Sequence, residues 1–441
     1  MKNRIYILGA GMTGLSAGVI SGIPIFEAGE YPGGICSSYY MRPNSRNRLH
    51  EKPEDGEVYR FEIGGGHWIF GSEGLMQKFI RKFVSLKSHQ RRSSVYFPDK
   101  DLFVPYPIQN HLRYLGKEIT SKALYEIIDS LNKSKNFATL SEWLEANFGK
   151  TLCELFFFPF HELYTAGLYT RIAPQDAYKT PINLKDIIQG VFSDVPPAGY
   201  NTTFVYPEEG LDVLARRMAE RCNVNYGKKV IKIDTKEKTL YFEDGSYVGY
   251  DILISTIPLN KVIELANLSS ELQSKSDPYT SVLVVNIGGK KGEKCPKDHW
   301  IYIPYSKTRF HRVGFYSNVD KSFVPKSAQD LDTHVSIYVE KAYMGGEKPS
   351  EEELNELVKD IIEELISWGW INEVEVVDPT WIDVAYTWSW VGSNWKTEAI
   401  KLLETYGIYQ AGRYGRWHFQ GIADSIKEGF IAGSVFKGLN S

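Results

Sequence analysis

Residues 4–27 constrain this chain most, because they read as a strand, a tight turn and a helix closed by a second strand. An apolar run, residues 4–8 (RIYIL), ends directly in GAGMTG, which puts Gly9, Gly11 and Gly14 at GxGxxG spacing. Each glycine has its own reason. Gly9 permits the turn, Gly11 lets the backbone approach a pyrophosphate, and Gly14 lets the helix pack closely on the strand. The helix N-terminus then presents free amide hydrogens to the phosphates. A second strand over residues 23–26 ends in Glu27, whose carboxylate suits both hydroxyls of an unphosphorylated adenosine ribose. The interval from Gly14 to Glu27 is short, so the helix must be short too. A lone GxGxxG also fits a glycine-rich turn; the strand before it, the helix after it and the acid at the next strand end select the dinucleotide reading.

Composition narrows the partners. With 51 Lys plus Arg against 54 Asp plus Glu, the chain has no net field to draw nucleic acid or an anionic membrane. Cys36, Cys153, Cys222 and Cys295 are scattered with no CxxC pair. That disfavours a disulfide framework and a metal site, and the reducing cytoplasm is the expected compartment. No run of eighteen apolar residues occurs, so no transmembrane helix is expected. The 28 tyrosines fit either a large core or a pocket that stacks flat ligands, and the count leaves both open.

Gly33 and Gly34 would let the next loop run close beside a ligand, and residues 42–57 read as a solvated loop between two strands. The second of these strands runs into GGGHWIF, where Gly64, Gly65 and Gly66 precede His67 and Trp68. A bare backbone there suggests a flat ring pressed against it. His67 is as compatible with a satisfied structural imidazole as with a ligand-facing one. From Val104 onward, apolar residues at three and four spacing predict a helical lobe, with residues 176–200, which hold several prolines and glycines, as loop over a pocket. A helix with Leu211, Leu214 and Met218 on one face follows, and then three strand-like runs in which Asp244–Gly245 marks a hairpin. Alternating runs at 281–288, 300–303, 310–317 and 335–340 predict a second sheet. Ser350 and Glu353 form a capping box for a structural helix through Trp368. Finally, a strand at 408–411 meets Gly412, and a last helix starts near Asp424 with Gly429 and Gly433 on one face for close packing.

Taken together these segments resemble the FAD-dependent amine oxidase and protoporphyrinogen oxidase superfamily, and more closely the UDP-galactopyranose mutases, especially the eukaryotic type. The likeness rests on GAGMTGLSAG, PGG, FEIGGGHWIF, FVPYPIQN, HWIYIP, RFHRVGFYSN and AGRYGRW. The first three are general to the superfamily, and the next three are particular to the mutase-like branch. The resemblance implies an α/β fold: a Rossmann-type FAD-binding lobe (parallel sheet with helices) plus a mixed helical and antiparallel-sheet substrate lobe. It divides the chain into an FAD-binding first part (1–103), a helical substrate lobe (104–205), a second FAD-binding part (206–290), a substrate-sheet lobe (291–375) and a closing FAD-binding segment (376–441).

The same resemblance implies roles. FAD would be held by Gly9, Gly11, Gly14, Glu27, Gly33, Gly34, Gly65, Gly66, the backbone of Val230, Gly412, Arg413 and Asp424. Arg312 would bind a substrate diphosphate with Tyr302 and Tyr386, a role that suits a planar guanidinium. His67 would stand beside the flavin's reactive nitrogen. Tyr106 and Gln109 match uracil-holding residues, and His161 stands where the family has a uridine-contacting asparagine. Two family groups are missing: a second diphosphate arginine, for which Arg171 or Lys179 are the nearby cations, and a tyrosine whose place Phe419 takes. Read without the resemblance, Arg312 is equally a strand-surface arginine, Tyr302 and Tyr386 core aromatics, and Tyr106 part of a rigid Pro-Tyr-Pro turn. The implied activity is ring isomerisation of a nucleotide-linked sugar with reduced flavin. An FAD-dependent oxidoreductase of amine oxidase or protoporphyrinogen oxidase type, and a protein that binds FAD without catalysis, stay open beside it.

Overall fold

The computed structural model describes residues 3–71, 74–131, 137–175, 182–199 and 201–438. Its first strand, Ile5–Leu8, lies in the middle of a five-stranded sheet ordered Val224–Asn225, Ile25–Phe26, Ile5–Leu8, Ile252–Ser255, Ile408–Gln410, with every pairing parallel. The helix Met12–Ser21 is ten residues long and ends at Gly22, whose φ of 70° is the left-handed C-terminal stop that glycine favours. The last helix, Ile422–Lys437, packs against it. A Cβ on Gly429 would lie 2.1 Å from the Thr13 carbonyl oxygen and one on Gly433 2.5 Å from that of Ala17. These two glycines therefore let the far end of the chain close the lobe that the first residues open.

The second sheet has seven strands, ordered Ile371–Thr387, Tyr279–Lys291, His334–Met344, Arg312–Phe315, Trp300–Tyr302, Ser93–Phe97, Leu102–Pro105. Side chains alternate between its faces, as the period of a strand requires. Val282 and Val284 join the core that holds the first helix, while Leu283, Val285 and Ile287 join the core under the helix Glu351–Ser367. The capping box at Ser350 and Glu353 starts that helix as expected. Ser93–Phe97, Leu102–Pro105, Tyr279–Lys291 and the whole of Ile371–Thr387 belong to this sheet, so we infer that the substrate lobe takes these stretches as well as 291–375.

The helical lobe contains Lys117–Leu131, Leu140–Leu152, a π-helical turn at Cys153–Phe157, and Phe158–Tyr164. One sequence expectation is corrected here. The stretch 176–200 is not all loop, because Leu184–Phe192 is a helix whose N-terminus is capped by the Asn183 side chain accepting from the Lys185 amide. Gly190, which reads as a loop residue, is a packing residue: a Cβ there would lie 1.9 Å from the carbonyl oxygen of Asn110.

Candidate active site

A cavity of about 960 Å³ runs from the C-terminal ends of the parallel strands to the inner face of the large sheet, the crevice where open α/β sheets bind ligands. At one end lie Gly9, Gly11, Glu27, Gly33 and Gly34. The Glu27 carboxylate is fixed there by the Ala10 amide at 2.6 Å and the Gly29 amide at 2.9 Å. A Cβ on Gly11 would meet nothing within 4 Å, so the wall is bare where a pyrophosphate would cross the helix N-terminus. Farther along, the half-buried Arg413 guanidinium donates to the Ala385 carbonyl at 3.0 Å and stands 4.6 Å above the Phe419 ring. Its Nε and the Tyr414 hydroxyl are buried with no hydrogen-bond partner among the described residues. A fixed carboxylate, a bare glycine and unsatisfied donors along one cleft fit FAD.

At the other end, cross-strand register aligns Tyr302, Arg312 and Glu340 as directly opposed neighbours. Arg312 donates from Nε to Glu340 Oε2 at 2.9 Å and from Nη2 to Oε1 at 2.6 Å, and it lies 3.4 Å from the Tyr386 hydroxyl. Glu340 is 2 % exposed. Burial by itself would raise its carboxyl, but Arg312 and then His311 outweigh that and hold it down to about 2. Tyr302 accepts from the Trp300 indole at 3.1 Å, which leaves its own proton free to donate. Its ring packs 4.6 Å from Tyr106 and 5.4 Å from Phe160 of the helical lobe.

Between the two ends, His67 faces the Gly65 carbonyl through Nδ1 at 3.3 Å. A ring nitrogen directed at a carbonyl carries the proton, so Nε2 is the acceptor. Burial, reinforced by the charge of Arg413, lowers His67 to about 4. Burial likewise lowers His111 to about 4 and His299 to about 3. Such histidines contribute stability that is present above their usual 6.5 and lost as pH falls through the folded values. Glu62 has the opposite sign. Burial raises it to about 8, so its contribution is present below the ordinary 4.5 and lost as pH rises toward 8. The thermal midpoint of the apo protein is therefore expected to peak near pH 6.5 and to fall on both sides in a calorimetric pH series. A midpoint that rose on going from pH 6.5 to 5 would contradict the buried neutral histidines.

Of the residues named from sequence, Gly9, Gly11, Glu27, Gly33, Gly34, Gly66, His67, Tyr302, Arg312, Tyr386, Arg413 and Asp424 line this one cavity. Others stand behind its wall. A Cβ on Gly14 would lie 1.9 Å from the Gly9 carbonyl oxygen, one on Gly412 2.4 Å from Thr13 Oγ1, and one on Gly65 2.7 Å from Glu340 Oε1. These three glycines pack the walls. Val230 pairs with Phe242 in a separate three-stranded sheet and does not line the cavity. Tyr106 backs Tyr302, Gln109 is fully buried in the turn Ile108–Asn110, and His161 directs Nδ1 at the Phe157 carbonyl at 2.7 Å. Arg171 stands 5.7 Å from the Trp390 ring and outside the cavity lining; Lys179 lies outside the described residues. Sequence reasoning missed Glu340, Tyr338, Trp300 and Asn201, which also line the cavity. For Glu340 a signal existed: it shares strand parity with Tyr338, and a charge on the inward face of an apolar strand needs a partner.

The family model for flavin containing amine oxidoreductases matches residues 17–436, and the chain belongs to that family, with FAD as its cofactor. Among solved structures it is similar to reduced UDP-galactopyranose mutase, at 24% identity and a TM-score of 0.84 over 99% of this chain and 96% of that one. A CLA-producing fatty acid isomerase from P. acnes matches at 14% identity and a TM-score of 0.60, covering 98% of each chain. A redesigned putrescine oxidase also matches at 14% and 0.60, over 99% of this chain and 98% of that one. At these identities the structures establish the shared fold. No helix among the described residues is long and apolar enough to cross a membrane.

Proposed function

We propose that this flavoenzyme acts on a nucleotide-linked sugar and isomerises the sugar ring while its flavin is reduced. The observation that carries the reading is the cluster of Arg312, Tyr302 and Tyr386 in the same cavity as His67, Gly9, Gly11, Gly33 and Gly34. Glu340 takes Nε and Nη2 of Arg312 and so fixes the guanidinium plane. That leaves Nη1 for a diphosphate oxygen, with the two tyrosine hydroxyls as further donors. The rings of Tyr302 and Tyr386 offer aromatic walls to a sugar. FAD, when bound and reduced, supplies an electron-rich ring to the anomeric carbon; the neutral His67 can accept a hydrogen bond at Nε2 beside it. The likeness to a solved UDP-galactopyranose mutase supports the reading, and four free cysteines support a reducing cytoplasmic setting.

The test is anaerobic. The purified holoprotein is reduced with dithionite, offered UDP-, GDP- and dTDP-sugars, and assayed for new sugar isomers by chromatography. Isomers are expected only with reduced protein. One observation favours a second reading, in which the enzyme removes hydride from a neutral or cationic substrate: Glu340 cancels the charge of Arg312. Bleaching of the oxidised flavin by an amine, with no isomer formed by reduced protein, would replace the first reading with the second.

A further inference from the structure

A bare backbone at Gly64–Gly66 implies a flat ring against it, and the protein itself provides one. Tyr338, 1 % exposed, lies directly opposite Gly314 in an antiparallel pair of strands. A Cβ on Gly314 would fall 1.9 Å from the phenol Cζ, and a Cβ on Gly66 2.0 Å from the phenol oxygen. One ring thus occupies the space that two side chains would need, one on the sheet and one on the glycine strap. Two residues along the same strand, Glu340 seats Gly65 in the same manner. Tyr338 is itself held by Tyr316, with ring centroids 4.7 Å apart. The strap faces the cavity through Gly64, Gly66 and His67, and Tyr338 lines the cavity beside it.

We propose that Tyr338 is a positioning residue for the flavin: its ring sets the height of the glycine strap, and thereby the distance of the strap's peptide dipoles and the His67 imidazole from the bound flavin. A phenol wedged in a packed core cannot yield as a flexible side chain can. The dipoles it supports are therefore fixed in place, and fixed dipoles near a redox ring tune its electronics. The inference rests on the flavin occupying this cavity and not on the identity of the substrate.

The experiment is a double-mutant cycle read by FAD affinity and by the flavin midpoint potential. Gly66 does not have a positive φ, so alanine is refused there by space alone. In the wild-type background, Gly66→Ala is expected to weaken FAD binding at least tenfold. It should also shift the reduced-to-oxidised ratio at a given potential at least tenfold, about 30 mV for a two-electron couple. In a Tyr338→Ala background, where the space is open, the same Gly66→Ala should change both by less than threefold. Tyr338→Phe, which keeps the ring, should hold the wild-type potential, and Tyr338→Ala should not. If Tyr338→Ala does not fold, Tyr338→Leu carries the same comparison. An equal effect of Gly66→Ala in both backgrounds, or a wild-type potential without the ring, would overturn the proposal. A wild-type protein that binds no FAD would instead overturn the cavity assignment.

Discussion

Gly11→Leu is expected to give a folded, colourless protein. The φ of Gly11 is −71° and its ψ is 177°, ordinary extended backbone for any residue, and the space where its Cβ would go is empty. A leucine there meets no protein atom at its first carbon and extends into the path of the pyrophosphate. The unfolding free energy of the apo form should change by no more than a benign surface substitution does, about 0.5 kcal/mol. The yellow absorbance should be lost on gel filtration. Gly14→Ala is the contrast. Its Cβ would sit 1.9 Å from the Gly9 carbonyl oxygen, and overpacking against backbone destabilises by about 1–3 kcal/mol or more. That variant should lose stability and flavin together. If Gly11→Leu kept its flavin at wild-type affinity, the pyrophosphate could not cross the helix N-terminus beside Gly11.

Arg312→Ala should impair both stability and ligand binding, and the two effects can be separated. Removing the guanidinium leaves the Glu340 carboxylate, 2 % exposed, without its principal partner. Breaking a buried pair in this way costs about 3–5 kcal/mol. The pH dependence follows from the sign of the shift. In the wild type, Glu340 is held down to about 2, so its contribution is present above the ordinary 4.5 and lost as pH falls toward 2. Without Arg312, burial raises the carboxyl instead, and the neutral form is favoured below the new value. The deficit of Arg312→Ala should therefore shrink on acidification from pH 7 to 5 in urea unfolding experiments. The double variant Arg312→Ala/Glu340→Gln removes the buried charge and should recover most of the stability. It should not recover affinity for a nucleoside diphosphate, because a charge-assisted hydrogen bond of about 1.5–3 kcal/mol is still missing, roughly a ten- to hundredfold loss. The flavin spectrum should be unchanged in both. Recovery of diphosphate affinity in the double variant would show that Arg312 matters only as a partner for Glu340.

Much of the first lobe is legible in order along the chain. The GxGxxG turn, the acid at Glu27 and the paired Gly429 and Gly433 each express a local steric demand, and a local demand leaves its mark at a fixed spacing. Gly190 shows the limit: a glycine in a loop-like stretch looks the same whether it turns the chain or makes room for a neighbour, and here the neighbour is Asn110, 80 positions away. Glu340 shows a second limit. Its charge is visible on an apolar strand, but its partner is fixed by strand register rather than by spacing in sequence. Gln109 and His161 show a third, since matching a motif does not place a side chain in the cavity.

By itself, then, the sequence determined the strand, glycine turn and short first helix, the alternation of four of the seven strands of the large sheet and the identity of the candidate groups, because each depends on neighbours within a few residues. Tertiary structure alone decided which of those groups share one cavity, that Arg312 arrives already paired, and that the ring against the glycine strap is Tyr338. Those outcomes depend on register between strands and on packing between lobes, where residues hundreds of positions apart compete for the same few ångströms of space.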